Sequence, residues 1–340
     1  MATMKAIQVK TAGGELELVQ IEIPEPKENE VRIKVEACGI CHGDAVVKEG
    51  HMPGIVYPRV PGHEVVGIID KLGTGVAVWQ TGQRVGVGWY GGPCLQCDSC
   101  KKKDYANCER FLTTGISFDG GYAEYMTAHM QALTIIPEKL TALEAAPLLC
   151  AGRTTFSALR NSGARGGDVV AVLGLGGLGH LAVQFARKLG FYTVALSRGK
   201  DKEALAYQLG AHAYIDTQSQ NVAAELKKLG GAKVVLATAP NGKAIQDVIN
   251  GLGWDGQVII VAGQGEPMQV SPGQLLGGRR SVRGWVSGPT RGKSEDALNF
   301  SVISGVLPMI EVFPLEEAAK AFEKMMTSKV HFRSVLKIGE

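Results

Sequence analysis

Four cysteines in the first third of the chain have the spacing C-x2-C-x2-C-x7-C. They are Cys94, Cys97, Cys100 and Cys108. Four thiolates form a complete tetrahedral shell for Zn²⁺ and leave no position open for a substrate. The spacing therefore predicts a structural zinc site that holds this loop in shape. An iron–sulfur cluster also uses four cysteines, but the other features described below require no electron carrier.

A second group of metal-ligand residues is assembled from distant segments, namely Cys41, His63 and Cys150. Two thiolates and one imidazole are a set that leaves a fourth zinc position for water or substrate, as in catalytic zinc sites. Asp44 and Glu64 stand beside two of these residues. We include both carboxylates in the catalytic site and count Glu64 among the possible metal ligands. A carboxylate that accepts the free N–H of a zinc-bound histidine fixes its tautomer, and we assign that role to Asp44.

Length and composition indicate a globular protein of about two domains, since the 340 residues are 45% hydrophobic and 20% charged. The 45 glycines are roughly twice the usual share, which indicates many tight turns and a close backbone approach to a ligand. The net charge is only +3 and no long basic tract occurs. Binding to nucleic acid or to a membrane surface therefore has little support.

The expected location is the cytoplasm. No apolar leader follows the first charged residues, and no run reaches the roughly 18 apolar residues that a membrane span requires. Clustered cysteines in a reducing compartment are metal ligands more often than disulfides.

Two domains of different character are expected. Residues 1–149 contain short Val/Ile runs broken by Gly and Pro, which predicts a β-rich domain. Strands and helices alternate over residues 150–287, beginning with the continuous apolar run Val169–Leu173. This alternation predicts parallel βαβ units in a doubly wound α/β sheet. The regularity ends near residue 288, so residues 288–340 are expected to rejoin the first domain.

A glycine-rich turn follows the first strand of the α/β domain. Its sequence fits G-x-G-x-x-G and consists of Gly174, Leu175, Gly176, Gly177, Leu178 and Gly179. Gly174 permits a tight turn, Gly176 lets the backbone approach a pyrophosphate, and Gly179 allows close helix–strand contact. The following helix offers unpaired N–H groups to the phosphates. The alternative is an ordinary strand–helix loop, but the strand before the turn and the helix after it favour a dinucleotide site.

The end of the second strand predicts a preference for NADP(H). An acidic residue about 20 positions after the turn would hold the ribose 2′-hydroxyl of NAD, but Ser197 occupies that place and Arg198 and Lys200 follow. A hydroxyl and two cations attract a 2′-phosphate, whereas a carboxylate repels it. We also assign Lys202 to the cofactor site. The alternative is that these cations are solvated surface charges and that the protein uses NAD.

Together these motifs resemble the zinc-dependent medium-chain alcohol dehydrogenases over essentially the whole chain. The similarity is greatest to the yeast-type and cinnamyl-alcohol-type branches, which have a similar length and a cysteine as the third ligand, here Cys150. The motifs, in chain order, are Cys38-Gly39-Ile40-Cys41-His42-Gly43-Asp44, Pro61-Gly62-His63-Glu64-Val65-Val66-Gly67, the four-cysteine loop, Leu149-Cys150-Ala151-Gly152-Arg153-Thr154-Thr155 and Gly174–Gly179.

The resemblance implies a GroES-like catalytic domain, a Rossmann cofactor domain with the active cleft between them, and a homodimer or homotetramer. It also implies that His42 and Arg333 lie near the cofactor phosphates, and that Thr154 and the region of Gly263 line the nicotinamide end. The aromatic pair Trp89 and Tyr90 resembles the wall of the substrate pocket, although a plain core role is equally compatible with the sequence.

The chain departs from the family pattern at the proton relay. The residue after the Cys-His pair is usually Ser or Thr, and here it is Gly43; a second relay position, often His, is Val46. Ordered water or another hydroxyl must then carry the proton. The missing side chain also predicts a larger pocket beside the metal and tolerance of bulky or aromatic substrates.

The sequence thus predicts two Zn²⁺ per chain and hydride transfer between a small-molecule alcohol or aldehyde, which is expected to be primary, and a nicotinamide cofactor. Three alternatives stay open. A zinc-free quinone reductase shares the fold, a zinc-ribbon nucleic-acid binder would use the four-cysteine loop, and a binding or scaffold protein would keep the cofactor site without turnover.

Overall fold

The structure, a computed structural model, describes residues 2–263, 267–286 and 291–339. The chain divides into two compact units. The first consists of Met1–Cys150 and Gly288–Glu340, and the second of Ala151–Ser287. In the described ranges, no helix is both long enough and apolar enough to cross a membrane.

The N-terminal part of the first unit is rich in short strands. Its elements are β1 (Thr3–Gln8), β2 (Glu17–Glu22), β3 (Glu30–Gly39), α1 (Ala45–Glu49), β4 (Val65–Leu72), β5 (Arg84–Val87), β6 (Tyr90–Gly92), α2 (Asp98–Lys101), β7 (Leu112–Thr113), β8 (Tyr125–His129), β9 (Leu133–Ile135) and α3 (Ala142–Pro147). Two short 3₁₀ turns (His42–Asp44 and Tyr105–Asn107) and a π-helical turn (Leu148–Gly152) complete this part.

The second unit alternates strands and helices. Its elements are α4 (Arg153–Arg160), β10 (Val169–Leu173), α5 (Gly179–Lys188), β11 (Tyr192–Ser197), α6 (Glu203–Gln208), β12 (Ala213–Asp216), α7 (Val222–Lys228), β13 (Ala232–Ala237), α8 (Gly242–Ile249), β14 (Leu252–Ile260), α9 (Pro272–Leu276) and β15 (Ser281–Gly284). The chain then returns to the first unit as α10 (Arg291–Ser304), β16 (Ile310–Pro314), a 3₁₀ turn (Leu315–Glu317), α11 (Ala318–Met326) and β17 (Arg333–Lys337).

The main sheet of the first unit carries the strands next to the candidate metal ligands. Its order is β16-β17-β3-β4-β5-β9, with β8 also pairing with β3. The C-terminal strand β17 pairs antiparallel with the end of β3, so that Leu336 lies opposite Cys38. Strand β4 pairs with the same strand. Arg333 and the adjacent residues His63 and Glu64 therefore lie at one end of the sheet, although 269 residues separate Arg333 from Glu64.

The sheet of the second unit is parallel throughout, in the order β12-β11-β10-β13-β14-β15. In β10 four of the five residues are buried, as expected for a strand covered on both faces. The strand order reverses between β10 and its neighbours β11 and β13. The carboxyl ends of the strands at such a reversal are where open α/β sheets bind ligands, and the glycine-rich turn follows β10 at this position.

The predicted α/β class is confirmed, while several element boundaries differ. The sequence pattern predicts a strand over Gln257–Ala262, whereas β14 begins at Leu252, because Leu252 pairs with Ala232 before a register shift. It also predicts helices over Lys293–Val306 and Leu315–Lys329. The first spans Arg291–Ser304 and stops before Gly305, whose left-handed φ of 72° ends it, and the second is divided into the 3₁₀ turn and α11.

The pairing of β3 with β4 depends on Gly67. A Cβ at this position would lie 2.2 Å from the carbonyl oxygen of Lys34, whereas a Cβ on Gly284 in β15 would meet nothing within 4 Å. We expect Gly67→Ala to lower the free energy of unfolding by about 1–3 kcal/mol through overpacking. The matched strand variant Gly284→Ala should change it by less than about 1 kcal/mol. Urea denaturation measures both, and equal effects of the two variants would contradict the close-approach argument.

Candidate metal centres and cofactor turn

The structure brings together the residues of the second ligand group. One ligand atom from each of Cys41, His63, Glu64 and Cys150 lies within 4.8 Å of all the others. The two sulfurs are 3.9 Å apart. Cys41 precedes the 3₁₀ turn after β3, His63 precedes β4, and Cys150 lies in the π-helical turn. Single π-helical turns occur frequently at functional sites because they redirect one side chain out of helical register.

The imidazole of His63 is held by a carboxylate and leaves one nitrogen without a partner. Its Nδ1 lies 2.9 Å from Oδ1 of Asp44, and both side chains are buried. Its Nε2 is buried and has no hydrogen-bond partner among the described residues. A buried polar atom in this state requires an explanation, and an ion is one of the usual ones. Two thiolates and one imidazole nitrogen suit zinc, so these residues fit a zinc ion.

Contacts within the group shift the pKa values of Cys41 and His63. The hydrogen bond with the Cys150 thiol lowers the pKa of Cys41 well below its usual range, and His63 acts in the same direction. Burial acts to lower the pKa of His63, but the charge of Asp44 and its hydrogen bond outweigh that effect and raise the pKa well above its usual value. A metal that binds here displaces these protons, so metal affinity falls as the pH falls.

Glu64 has a different partner from the one expected of a ligand. Both of its oxygens contact Nη2 of Arg333, and the two side chains are almost completely buried. Gly39 makes room for this carboxylate, since a Cβ there would lie 2.0 Å from Oε2. Burial raises the pKa of Glu64 to about 7, against the opposing charge of Arg333. Glu64 is thus the charge partner of Arg333. One of its oxygens also lies within 4.8 Å of the other ligand atoms, so its place among the metal ligands stays a prediction.

The four-cysteine loop forms a second compact ligand group. The Sγ atoms of Cys94 and Cys100 are 3.9 Å apart, and those of Cys97 and Cys108 are 4.0 Å apart. Backbone N–H groups of Gln96 and Cys97 lower the pKa of Cys94 to about 6, which favours its thiolate form. Strands β6 and β7 pair at the base of the loop. All four donors belong to one short segment, and no fifth His, Asp, Glu or Cys joins them within the described residues.

The predicted pocket aromatics lie in two different places. Trp89 contacts His63 edge-to-face, with ring centroids 4.8 Å apart. Tyr90 instead faces the four-cysteine loop and its ring lies 6.2 Å from that of Phe111. Burial and the nearby cysteines, above all Cys108, raise the pKa of Tyr90. Trp89 precedes β6 and Tyr90 is its first residue, and the two side chains have different surroundings. Trp89 is the one of the two that lies beside the metal-ligand group.

Gly43 does not leave the empty space that the sequence suggested. A Cβ on Gly43 would lie 2.8 Å from Cε1 of His63 and 2.8 Å from Cζ3 of Trp89. The indole and the imidazole fill the volume of the missing relay side chain, so the predicted enlargement of the pocket beside the metal is wrong. Val46, the second relay position, is half-buried in α1.

In the glycine-rich turn of the second unit, the three glycines of the G-x-G-x-x-G motif differ in their geometry. Gly174 has a left-handed φ of 98°. Gly176 is exposed and a Cβ there would meet nothing within 4 Å, while a Cβ on Gly179 would lie 1.9 Å from the carbonyl oxygen of Gly174. Gly177 and Leu178 are half-buried between them. The open side at Gly176 is where a phosphate could approach the backbone.

The loop after β11 is held by Tyr214 and Asp216, two residues outside the predicted cofactor site. Gly199 donates its N–H to Oδ1 of Asp216 at 2.7 Å and accepts from the hydroxyl of Tyr214 at 2.6 Å. Lys202 reaches the glycine-rich turn, where its Nζ donates to the carbonyl oxygen of Leu175 at 2.9 Å. Ser197, at the end of β11, is half-buried, whereas Arg198 is exposed. In the sequence, the sign of this arrangement is Asp216, which ends β12, the parallel neighbour of β11.

The other predicted cofactor residues are placed as follows. His42 is exposed in its 3₁₀ turn, Thr154 is half-buried in α4, and Gly263 is exposed after β14. Arg333 is buried, and its Nε has no partner among the described residues.

The fold and the two ligand groups define a zinc-dependent oxidoreductase with a dinucleotide-binding turn. Residues 27–138 match the family model described as the alcohol dehydrogenase GroES-like domain, and residues 177–302 match the zinc-binding dehydrogenase model. The alcohol dehydrogenase patD of Penicillium expansum is 42% identical over 335 residues, which cover 98% of each chain.

Solved structures give the same result. A cinnamyl alcohol dehydrogenase from Sorghum bicolor is 30% identical, with a TM-score of 0.87 over 99% of this chain and 98% of that one. A cobalt- and zinc-bound thermostable alcohol dehydrogenase from Pyrobaculum aerophilum is 27% identical, with a TM-score of 0.84 over 99% of this chain and 100% of that one. The chain belongs to the zinc-dependent medium-chain alcohol dehydrogenases, and zinc and a nicotinamide cofactor are the cofactors of this class.

The Glu64–Arg333 pair generates a stability prediction. Arg333→Met leaves a buried carboxylate without its cation, so the free energy of unfolding should fall by about 3–5 kcal/mol. Adding Glu64→Gln to that variant should recover part of the loss, because the unpaired charge is removed. Urea denaturation of the metal-free proteins measures both. A double variant less stable than Arg333→Met would contradict the proposed pairing.

Proposed function

We propose that this alcohol dehydrogenase holds two zinc ions per chain, one catalytic and one structural, and interconverts a primary alcohol and its aldehyde with NADP(H) as the favoured cofactor. The observation that carries the proposal is the buried, unpartnered Nε2 of His63, grouped with the sulfurs of Cys41 and Cys150. Cys94, Cys97, Cys100 and Cys108 would hold the structural ion.

The chemistry divides between cofactors and protein. A zinc ion held by Cys41, His63 and Cys150 supplies Lewis-acid polarisation of an alcohol or carbonyl oxygen, and the nicotinamide carries the hydride. Asp44 accepts the Nδ1 proton of His63 and thereby keeps Nε2 free as a donor of electrons. Above a pH of about 7, where the Glu64 carboxyl is ionised, the Glu64–Arg333 pair adds no net charge beside the thiolates.

The open position is what separates this site from the four-cysteine loop. Three protein ligands leave one tetrahedral position for substrate, whereas four thiolates fill the shell. The buried imidazole of His63 and the half-buried indole of Trp89 are in edge-to-face contact beside the ligand group. An aromatic wall favours a substrate with an apolar or planar carbon skeleton next to its hydroxyl group.

The cofactor preference rests on the loop after β11. Ser197 can donate a hydrogen bond to a 2′-phosphate, and exposed Arg198 and Lys200 add positive charge. Asp216 points its oxygens at the backbone of Gly199 and Gln218 and at the hydroxyl of Ser219, so its carboxylate is engaged in holding the loop. We further propose a homodimer or homotetramer, which sedimentation equilibrium would measure.

Zinc content tests the two-site proposal. We expect the wild-type chain to hold two zinc ions and Cys150→Ser to hold one, with alcohol oxidation reduced at least about 100-fold because one of three ligands is lost. Cys38→Ser is the matched control, since Cys38 is a buried cysteine outside both ligand groups, and it should keep both ions. Mass spectrometry under native conditions counts the metal. A wild-type chain that is active without zinc would support the zinc-free quinone reductase class instead.

Substitution at Ser197 tests the cofactor preference. Ser197→Asp places a carboxylate where the 2′-phosphate is expected, so kcat/KM with NADP should fall about 10–100-fold, or about 1.4–2.8 kcal/mol, while kcat/KM with NAD should rise. Gln208→Asp adds the same charge on the exposed side of α6 and should change neither value by more than about twofold. A wild-type enzyme with a clear preference for NAD would contradict the assignment.

A further inference from the structure

Tyr122 is a fully buried tyrosine whose hydroxyl reaches the metal-ligand group through one intermediate. Its side chain has no solvent exposure, and its hydroxyl donates to Oδ2 of Asp44 at 2.8 Å. The same oxygen accepts the backbone N–H of Cys41 at 2.9 Å. Because both donors hold Oδ2, the other oxygen, Oδ1, is the one that faces Nδ1 of His63 at 2.9 Å.

The backbone around Tyr122 is also bonded to the segment that carries His63. Tyr122 donates its N–H to the carbonyl oxygen of Pro61 at 3.0 Å, and Gly121 donates to that of Gly62 at 3.0 Å. The tyrosine ring lies directly against Gly62, where a Cβ would come within 2.4 Å of Cδ1. The residue next to His63 must therefore be glycine for two reasons, the ring contact and its left-handed φ of 104°.

We propose that Tyr122 is a positioning residue of the metal centre, which acts through Asp44 to orient His63. The ring and backbone place the segment of His63, and the hydroxyl fixes the rotation of the Asp44 carboxylate. Without the hydroxyl, Asp44 keeps one backbone donor on Oδ2 and can rotate away from the imidazole. This inference rests on the zinc site proposed above. A purely structural role would be confined to packing of the ring.

Metal release separates the two roles. Tyr122→Phe keeps the ring and removes only the hydroxyl. We expect the catalytic-site metal to transfer to a chromophoric chelator about 10–100-fold faster than in the wild type, the range typical of partners that orient metal ligands. Release from the four-cysteine site should not change. The absorption bands of Co²⁺ bound by Cys41, His63 and Cys150 should shift, because the imidazole orientation changes.

Tyr57→Phe is the matched control. Its hydroxyl donates to the carbonyl oxygen of Val47 at 2.6 Å, so the variant loses one hydrogen bond in the same unit without touching Asp44. It should release metal at the wild-type rate. The proposal is overturned if Tyr122→Phe also releases metal at that rate, or if Tyr57→Phe accelerates release equally.

A double-variant cycle tests the route through Asp44. In an Asp44→Asn background, Tyr122→Phe should add less than about twofold to the release rate, because the carboxylate through which it acts is gone. A full, additive effect in that background would overturn the proposed route.

Two further comparisons keep the test decisive. Should Tyr122→Phe fail to fold, two unnatural residues at position 122 replace it. p-Aminophenylalanine keeps a para N–H donor, and p-fluorophenylalanine has none. Faster metal release from the fluoro variant alone supports the proposal, and equal release from both overturns it.

The wild-type chain separates this proposal from the zinc proposal. If it binds no metal at Cys41, His63 and Cys150, both proposals fail. If it binds metal normally and Tyr122→Phe releases it at the wild-type rate, only the role of Tyr122 fails.

Discussion

The hydrogen bond between Asp44 and His63 is the contact on which the metal centre depends. Both side chains are almost completely removed from water. Without the other, the facing polar atom of each would therefore be buried and lack a hydrogen bond. The bond selects which nitrogen of the imidazole is left over, and that nitrogen lies among the sulfurs of Cys41 and Cys150. The rest of the first unit supports this arrangement: β3 and β4 set the distance between Cys41 and His63, and the π-helical turn delivers Cys150 from a segment 109 residues away.

The two cysteine sites differ in how far apart their ligands lie in the sequence, and this difference matches the role expected of each site. In the four-cysteine loop all ligands belong to one segment of 15 residues, so a metal there closes a local loop and can be surrounded completely. In the other site the ligands come from three segments of one unit, and β3, β4 and the π-helical turn set their arrangement. Ligands placed by the surrounding fold suit a catalytic zinc site, which keeps one position open.

Much of the fold and of the ligand set was predictable because the signals are local. Local spacing indicated the four-cysteine loop, and the strand–turn–helix context indicated the glycine-rich turn. Cys41, His63 and Cys150 come from distant segments and were grouped by their ligand chemistry and by the motifs shared with the family, and the structure places their ligand atoms together. The failures have a common physical cause, since each concerns a contact between segments distant in the sequence. The contact of Tyr122 with Asp44 spans 78 residues, and that of Arg333 with Glu64 spans 269.

Gly43 shows why a missing side chain in the sequence is not a cavity in the protein. Interiors are packed to crystal-like density, so neighbours occupy the volume that a smaller residue leaves. Here the neighbours are Trp89 and the ring of His63, and their edge-to-face contact is possible only because position 43 has no Cβ. The glycine therefore has two effects: it removes the relay hydroxyl, and it lets the indole of Trp89 pack against the imidazole of His63. A proton leaving the site must then pass by a group other than residue 43, and the apolar indole lies on the side where the relay hydroxyl would have been.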